Sequence, residues 1–267
     1  MRKPRGREPA AMAIVELKNV SKHFTVQSGI LRTTAARIVA VDDVSLRIGQ
    51  DEIVGLVGES GGGKTTIGKM IAGLYSPDSG HILIDDKPLE QWGRRSLAKK
   101  VNMIFQDPFS SLNPKLSVGT ILGETIRMAD GRRTRQQLTI ETQKLLATVG
   151  LSENSMDNYP HQFSGGQRQR VAIARALSLK PELIIADEPV SSLDVSIQSQ
   201  IIGLFLDLKK KFRLSYLFIT HDLNVVADLC NRIIILEGGR IVEQGGTQDV
   251  LKNPRHPYTK KLLSALI

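Results

Sequence analysis

The sequence contains one cysteine, Cys230, among its 267 residues. A single thiol excludes a disulfide within the chain and any metal or iron–sulfur site built only from cysteines of one chain. Aromatic residues make up 4% of the sequence, so the chain lacks the stacking surface on which single-stranded nucleic acid binds. No apolar run approaches the roughly 18 to 20 residues that span a bilayer, and no signal-peptide pattern follows the basic first residues. We therefore expect a soluble protein of a reducing compartment.

The net charge is +9, from 36 lysines and arginines against 27 aspartates and glutamates. Part of this excess lies in residues 1–12, where we expect a disordered basic tail. Elsewhere the basic residues occur in short clusters, which more often form solvated faces than binding sites. Hydrophobic residues make up 41% and charged residues 24% of the sequence, the balance of a globular domain. The charge alone does not predict a nucleic-acid partner.

Short apolar runs recur along the chain, as expected for strands buried on both faces of a sheet. A further strand-like pattern begins at Ala13, is broken by a polar stretch at residues 27–37, and resumes over Ile38–Ile48. A pair of glycines before Arg240 predicts a hairpin. The predicted buried strands are Ile53–Val57, Val101–Phe105, Leu183–Ala186, Tyr216–Ile219 and Ile233–Leu236.

Between these runs, apolar residues recur at the three- and four-residue spacing of amphipathic helices. One such stripe runs from Ile67 to Leu74, a second from Leu138 to Val149 and a third from Ile197 to Phe212. Strands that alternate with helices predict an α/β fold with a mainly parallel sheet. Residues from about 107 to 165 show helical patterns without a strong strand signal, so we expect a helical lobe there.

A glycine-rich segment follows the predicted strand Ile53–Val57 and opens the next predicted helix, which is the context of a phosphate-binding loop. Small residues let backbone N–H groups converge on phosphate oxygens, and the helix N-terminus adds positive potential. Lys64 would neutralise the β- and γ-phosphates, and the hydroxyl of Thr65 would ligate Mg²⁺. The predicted loop and the residue after it are Gly58, Glu59, Ser60, Gly61, Gly62, Gly63, Lys64, Thr65 and Thr66.

Two acidic residues follow another predicted strand, Leu183–Ala186. Asp187 comes directly after the strand and suits Mg²⁺ binding. Glu188 is next along the chain, points elsewhere, and would polarise a water molecule for attack on the γ-phosphate. Beside the upstream phosphate loop, this pair predicts a catalytic site rather than the start of a solvated loop.

A second glycine-rich helix start lies far from the first in sequence. Ser164 is a suitable N-cap for the predicted helix Arg168–Lys180. Gly165 and Gly166, followed by Gln167, allow close backbone approach to an anion. A single nucleotide does not need two such helix starts. We therefore interpret this segment as serving the nucleotide that is held by another subunit.

Six motifs occur in a fixed order: GESGGGKTT, FQDP, FSGGQ, IIADEP, SSLD and ITHD. In this order they resemble the ATP-binding cassette ATPases of ABC transporters, and the resemblance covers roughly residues 13–267. It implies one ATPase domain over that range, with a P-loop NTPase (RecA-like) core, an antiparallel β subdomain and a helical subdomain at about 107–165. It also implies a competent ATPase with ATP and Mg²⁺ as cofactors.

The resemblance implies roles for four further residues. Phe24 resembles the aromatic residue that stacks on adenine, and a core phenylalanine is the alternative. Gln106 resembles the glutamine that senses Mg²⁺ and the attacking water, so it joins the two Mg²⁺ ligands above. Asp194 resembles the residue that couples the two sites of a dimer. His221 resembles the histidine that contacts the γ-phosphate. The implied catalytic residues are therefore Lys64, Gln106, Glu188 and His221.

Residues 105–114 and 253–263 resemble the ATPases of peptide/nickel importers. This closer resemblance implies a peptide-importer-type segment at about 250–267, a second ABC ATPase subunit (identical or different) and two transmembrane permease subunits. An extracytoplasmic solute-binding protein would act indirectly, and the chain would lie on the cytoplasmic face of the inner membrane. Di- or oligopeptides are the expected cargo, with nickel, metal chelates and glutathione as alternatives.

Two other functions are consistent with these residues. A non-transport ABC ATPase would act on nucleic acid or ribosomes, and its binding would be sensitive to salt. An inactive nucleotide-binding module would only regulate a partner, and it would release no phosphate from ATP.

Overall fold

The computed structural model describes residues 13–28, 33–107, 111–131 and 133–264. The basic tail that we predict at residues 1–12 lies outside these ranges. So do residues 108–110 of the stretch that resembles peptide/nickel importers. Within the described ranges, no helix is both long enough and apolar enough to cross a membrane.

The described residues form ten strands and nine α-helices, together with three short 3-10 helices. The strands are β1 (Ala13–Ser28), β2 (Thr33–Gly49), β3 (Ile53–Val57), β4 (Ser79–Ile84), β5 (Lys87–Pro88), β6 (Val101–Ile104), β7 (Leu183–Asp187), β8 (Ser215–Thr220), β9 (Arg232–Glu237) and β10 (Arg240–Gly246). The helices are α1 (Lys64–Ile71), α2 (Arg94–Ala98), α3 (Val118–Asp130), α4 (Arg135–Thr148), α5 (Gly165–Leu177), α6 (Val195–Phe212), α7 (Leu223–Leu229), α8 (Thr247–Lys252) and α9 (Pro257–Ser264).

The larger sheet has six strands in the order β10-β9-β3-β8-β7-β6. Its strands pair in parallel from β9 to β6, and β10 is antiparallel to β9. Because successive side chains of a strand point to opposite faces, Leu183 and Ile185 enter one hydrophobic core, whereas Ile184 and Ala186 enter another. The predicted parallel sheet with both faces buried is confirmed.

The smaller sheet is antiparallel, with the order β2-β1-β4-β5. The strands β1 and β2 pair from Ala13 opposite Gly49 as far as Ser28 opposite Thr33. The sequence-based expectation of a polar break over residues 27–37 is therefore wrong in length, since backbone pairing continues through most of that stretch. At the β2 end of this stretch, Arg37 and the next two residues, Ile38 and Val39, are exposed.

Helices α3 and α4 lie in the region between β6 and α5, where we expected a helical lobe. Both begin at capped residues: the side chain of Ser117 accepts the N–H of Thr120, and Thr134 forms a reciprocal capping box with Gln137. Such caps satisfy N–H groups that have no partner inside the helix. The helical pattern of this region is therefore confirmed.

Three predicted helix details are corrected by the structure. The helix expected at Arg168–Lys180 begins at Gly165 and ends at Leu177, because Ser164 caps it directly. Helix α1 ends at Ile71, and the side chain of Leu74 is 52% exposed rather than part of the buried stripe. At the end of α6, Phe212 is 47% exposed.

Candidate active site

The phosphate loop lies between β3 and α1, where the sequence places it. Gly61 and Gly63 have φ angles of 79° and 96°, a region that favours glycine. A Cβ atom on Gly63 would lie 2.0 Å from the carbonyl oxygen of Ala40. The backbone of Gly63 therefore packs directly against β2, and no side chain caps the start of α1. Free N–H groups at a helix start are suited to bind phosphate.

Lys64 is buried at the base of the loop, with 5% of its surface exposed. Its Nζ donates to the carbonyl oxygens of Gly58 at 2.7 Å and Glu59 at 2.8 Å. Burial lowers the pKa of Lys64, and the nearby carboxylates of Glu188 and Asp187 oppose this effect. An ammonium group has three N–H donors. Two of them are thus fixed by the loop itself, and the third is available for a phosphate oxygen.

Thr65 and Asp187 meet across the site, since the Thr65 hydroxyl donates to Oδ1 of Asp187 at 2.9 Å. Asp187 ends β7 and is only 2% exposed. Burial raises its pKa, so a bound cation would offset the cost of the buried charge. One hydroxyl and one carboxylate fit Mg²⁺, which is typically held by one or two carboxylates together with phosphate and water oxygens. The described part of the chain has no group of three or more His, Cys, Asp or Glu residues that could hold a metal ion by itself, so phosphate oxygens would complete such a site.

Glu188 is held between two residues to which the family resemblance assigns roles. Gln106 donates from Nε2 to one Glu188 oxygen at 2.9 Å, and Nδ1 of His221 lies 3.3 Å from the other. The φ angle of Glu188 is 44°, and its N–H donates to the carbonyl of Ile219 at 2.8 Å. Glu188 thus has different partners from Asp187, which contacts Thr65.

A cavity of about 310 Å³ connects these parts. It is lined by residues of the phosphate loop together with Ala40, Gln106 and Glu188. A larger groove of about 730 Å³ lies beside Glu16, Arg47 and Arg232, but it contains none of the residues with phosphate-binding or catalytic chemistry. We therefore place the candidate site at the smaller cavity.

The segment from Ser164 to Gln167 does not line this cavity in the described structure. Ser164 accepts the N–H of Gln167, and Oε1 of Gln167 accepts the N–H of Ser164 at 3.0 Å. A Cβ atom on Gly166 would lie 2.5 Å from Ile197, so this glycine allows α5 to pack closely on α6. The assignment of Gly165 and the neighbouring residues to a second subunit's nucleotide stays a prediction.

Asp194 and Phe24 also lie outside the cavity lining. Asp194 is the N-cap of α6, where its side chain accepts the N–H of Ile197 at 3.0 Å. Phe24 lies on β1 and contacts Tyr75 edge-to-face, with ring centroids 5.5 Å apart. Asp194 therefore caps a helix, a role that the motif SSLD did not predict. The role of Phe24 in adenine binding stays a prediction.

Two residues near the loop were missed by the sequence analysis. Ala40 lies on β2 and closes one side of the cavity, and no motif marks it. Tyr258 lies on α9, and its hydroxyl accepts the N–H of Glu59 at 2.9 Å. The stretch around Tyr258 was noted only for its resemblance to one group of importers, because nothing in the sequence brings it near the phosphate loop.

Comparison with known families gives two matches. The model described as "ABC transporter" matches residues 41–191, and the model described as "Oligopeptide/dipeptide transporter, C-terminal region" matches residues 242–267. The chain belongs to the ABC transporter family. Members of this family bind and hydrolyse ATP, so the predicted ATPase activity is confirmed.

Curated relatives of the same family match over most of their length. The oligopeptide transport ATP-binding protein AppF of Bacillus subtilis is 45% identical over 257 residues, which cover 95% of this chain and 78% of AppF. The oligopeptide transport ATP-binding protein OppF of Bacillus subtilis is 44% identical over 259 residues, which cover 95% of this chain and 82% of OppF.

Solved ABC structures share the fold. One is a dimeric, post-hydrolysis structure of the ATP-binding cassette MJ0796 bound to ADP and phosphate, with a TM-score of 0.76 and 31% sequence identity. The match covers 87% of this chain and 98% of the MJ0796 chain. Another is cbiO1 of Clostridium perfringens, part of the ABC transporter complex cbiONQ, with a TM-score of 0.75 and 26% sequence identity. That match covers 90% of this chain and 91% of the cbiO1 chain. The predicted α/β P-loop NTPase fold is confirmed.

Proposed function

We propose that this ABC ATPase powers the import of di- or oligopeptides. The ATPase part of the proposal rests on the position of Glu188, in the cavity of the phosphate loop and between Gln106 and His221. The curated relatives named above are oligopeptide transport proteins, and the match at residues 242–267 is to the end of oligopeptide and dipeptide transporters. These names favour peptides over nickel, metal chelates or glutathione as cargo.

In the proposed reaction, Lys64 binds the β- and γ-phosphates with its remaining donor, and N–H groups of the loop surround the phosphate oxygens. Thr65 and Asp187 would hold Mg²⁺, with Gln106 beside it. When bound, Mg²⁺ would neutralise phosphate charge as the bond to the γ-phosphate breaks. The adenine would stack on Phe24.

Glu188 accepts the proton of the water that attacks the γ-phosphate. Gln106 orients this carboxylate through its amide, and His221 holds the opposite oxygen. The Glu188 side chain is only 12% exposed, whereas His221 is 55% exposed. A mostly buried carboxylate with a fixed direction is a suitable proton acceptor, and the exposed His221 is free to turn towards a γ-phosphate.

We further propose that the finished site needs a second ATPase subunit. The γ-phosphate of the partner's nucleotide would bind at Ser164, Gly165, Gly166 and Gln167, which do not line the chain's own cavity. Asp194, the N-cap of α6, would couple the two sites across the interface. Closure of the two ATPase subunits, on the cytoplasmic face of the inner membrane, would then move two transmembrane permease subunits. A solute-binding protein would act on the outer side.

The proposal assigns residues 13–267 to one ABC ATPase domain. It includes a helical subdomain at about 107–165, and the short segment after Gln106 would contact the permeases. The C-terminal segment at about 250–267 would be of the peptide-importer type. No nucleic-acid partner is part of this proposal.

The test has two parts. The purified tagged chain, together with membrane permeases that co-purify with it, should release phosphate from ATP, and vesicles that contain the complex should take up labelled peptide only with ATP. Lys64→Ala should abolish both activities. Salt-sensitive retention on nucleic acid without any permease would support a non-transport ATPase, and absence of phosphate release by chain and complex would support an inactive module.

A further inference from the structure

One peptide unit of the phosphate loop, between Gly58 and Glu59, is held at both of its ends. Its N–H, on Glu59, donates to the hydroxyl oxygen of Tyr258 at 2.9 Å. Its carbonyl, on Gly58, accepts from Nζ of Lys64 at 2.7 Å. The N–H and C=O of a trans peptide point in opposite directions. Tyr258 and Lys64 therefore bind this rigid plane from opposite sides.

Tyr258 comes from the far end of the chain, 199 residues after Glu59. It lies in the first turn of α9 and is 6% exposed, so its ring is fixed by packing. The start of α9 is attached to β10, because the carboxylate of Glu243 accepts the N–H groups of Arg255 at 2.9 Å and His256 at 3.0 Å. The hydroxyl of Tyr258 is thus held by the sheet rather than by a free surface helix.

The same part of the loop is pressed against the sheet from another direction. A Cβ atom on Gly58 would lie 2.1 Å from the carbonyl oxygen of Leu236, on β9. The loop cannot shift towards β9, and the bond to Tyr258 prevents the peptide plane from rotating in place. A second contact, between Lys261 and the Glu59 carboxylate at 3.8 Å, joins exposed groups and adds little.

We propose that Tyr258 is a positioning residue for the phosphate loop, and that α9 is therefore a working part of the nucleotide site. Tyr258 fixes the Gly58–Glu59 peptide and so sets the orientation of the Gly58 carbonyl, which accepts a hydrogen bond from Lys64. Loss of its hydroxyl lets the peptide rotate, and the ammonium group loses one of the two acceptors that hold it. The inference rests on the proposed function in one respect, since it takes Lys64 to be the residue that binds the phosphates.

The test compares two tyrosines that are both buried. Tyr258→Phe removes only the oxygen that accepts the Glu59 N–H. Tyr216→Phe is the matched control, because the hydroxyl of Tyr216 has no hydrogen-bond partner among the described residues. The purified full-length chain is titrated calorimetrically with adenylyl imidodiphosphate and Mg²⁺. For each variant, KM and kcat for ATP are measured in the complex with its second ATPase subunit and the permeases. Lys64→Ala, which tests the proposed function separately, is titrated in parallel.

Tyr258→Phe should raise the Kd for the nucleotide and the KM for ATP about 3- to 10-fold, the effect expected for the loss of one neutral hydrogen bond. Its kcat should change less than about 2-fold, because the groups around Glu188 are untouched. Tyr216→Phe should leave all three values unchanged. Glu243→Gln, which loosens the attachment of α9, should raise Kd in the same direction.

The inference is overturned if Tyr258→Phe binds nucleotide as tightly as the unmodified chain, or if kcat falls while Kd stays constant. It is equally overturned if Tyr216→Phe raises Kd as much as Tyr258→Phe does, since the effect would then belong to packing in general. If Tyr258→Phe does not fold, Glu243→Gln serves as the test in its place. An unchanged Kd for the nucleotide in Glu243→Gln would then overturn the inference. If Lys64→Ala retains full affinity, the proposed function fails instead.

Discussion

The side-chain amide of Gln106 donates to the carboxylate of Glu188 at 2.9 Å. These residues follow two neighbouring strands, β6 and β7, which pair in parallel. Since parallel strands end at the same edge of a sheet, residues 82 positions apart in sequence meet there. A change at Gln106, where the chain leaves the sheet towards α3, is thereby transmitted directly to the proposed proton acceptor.

Replacement of Asp187 by asparagine should remove the Mg²⁺ dependence of nucleotide binding. The buried carboxylate, whose pKa is raised by burial, contacts the hydroxyl of Thr65, and asparagine keeps the shape while it removes the charge. In the unmodified chain, EDTA should abolish ATPase activity and weaken ATP binding. In Asp187→Asn, calorimetry should find the same weak binding with and without EDTA. An EDTA effect as large as that of the unmodified chain would contradict the assignment of Asp187 to Mg²⁺.

Gly63→Ala should weaken nucleotide binding about 10- to 100-fold, which corresponds to backbone strain of about 1–3 kcal/mol. The φ angle of Gly63 is 96°, and the new Cβ atom would lie 2.0 Å from the carbonyl oxygen of Ala40. The loop must therefore move before it can bind phosphate. Titration with adenylyl imidodiphosphate measures the effect.

Gly203→Ala is the control for that substitution. Gly203 lies inside α6, and a Cβ atom there would meet nothing within 4 Å. Alanine is favoured over glycine in a helix by about 0.5–1 kcal/mol, so this variant should unfold at a slightly higher temperature and bind nucleotide normally. Equal binding losses in both variants would mean that the conformation of Gly63 does not matter.

Asp78 should give the fold a specific sensitivity to acid. Hydrogen bonds from the side chain of Lys22 at 2.8 Å and the backbone N–H of His23 at 2.6 Å lower the pKa of Asp78 to about 2 from 3.8. A carboxyl group whose pKa is lower in the folded state stabilises that state fully above its unfolded pKa, and this contribution is lost as the pH falls towards the folded pKa.

The measurement is the Tm of the unmodified chain and of Asp78→Asn across pH. At neutral pH the variant should unfold at a lower temperature, and the gap should narrow between about pH 4 and pH 2. A gap of constant size over this range would show that the ionised form of Asp78 does not stabilise the fold.

Local backbone requirements made the phosphate loop predictable. Gly61 and Gly63 have positive φ angles, which favour glycine. Their spacing before Lys64 could therefore be recognised in the sequence. The order of helices and buried strands was predictable for a similar reason, because burial on both faces requires continuous apolar runs such as Ile53–Val57. The capped start of α5 was correctly assigned to Ser164, although its first turn was placed too late.

Long-range contacts were not predictable from local patterns. The bond between Glu59 and Tyr258 joins positions 199 residues apart, and Ala40 closes the cavity without any distinctive side chain. The pairing of β1 with β2 through most of the polar stretch also escaped the pattern analysis, because a partly exposed antiparallel pair needs no continuous apolar face. The N-cap role of Asp194 was hidden by its membership of a motif.

Glu188→Gln tests the central claim, that hydrolysis takes place in this cavity with Glu188 as proton acceptor. Glutamine keeps the size of the side chain and can still pair with Gln106, so ATP binding should be unchanged while phosphate release falls about 10²- to 10⁴-fold, the usual contribution of a positioned proton acceptor. Glu90→Gln, at an exposed position outside the cavity, should keep full activity. Phosphate release by Glu188→Gln at close to the rate of Glu90→Gln would contradict the account.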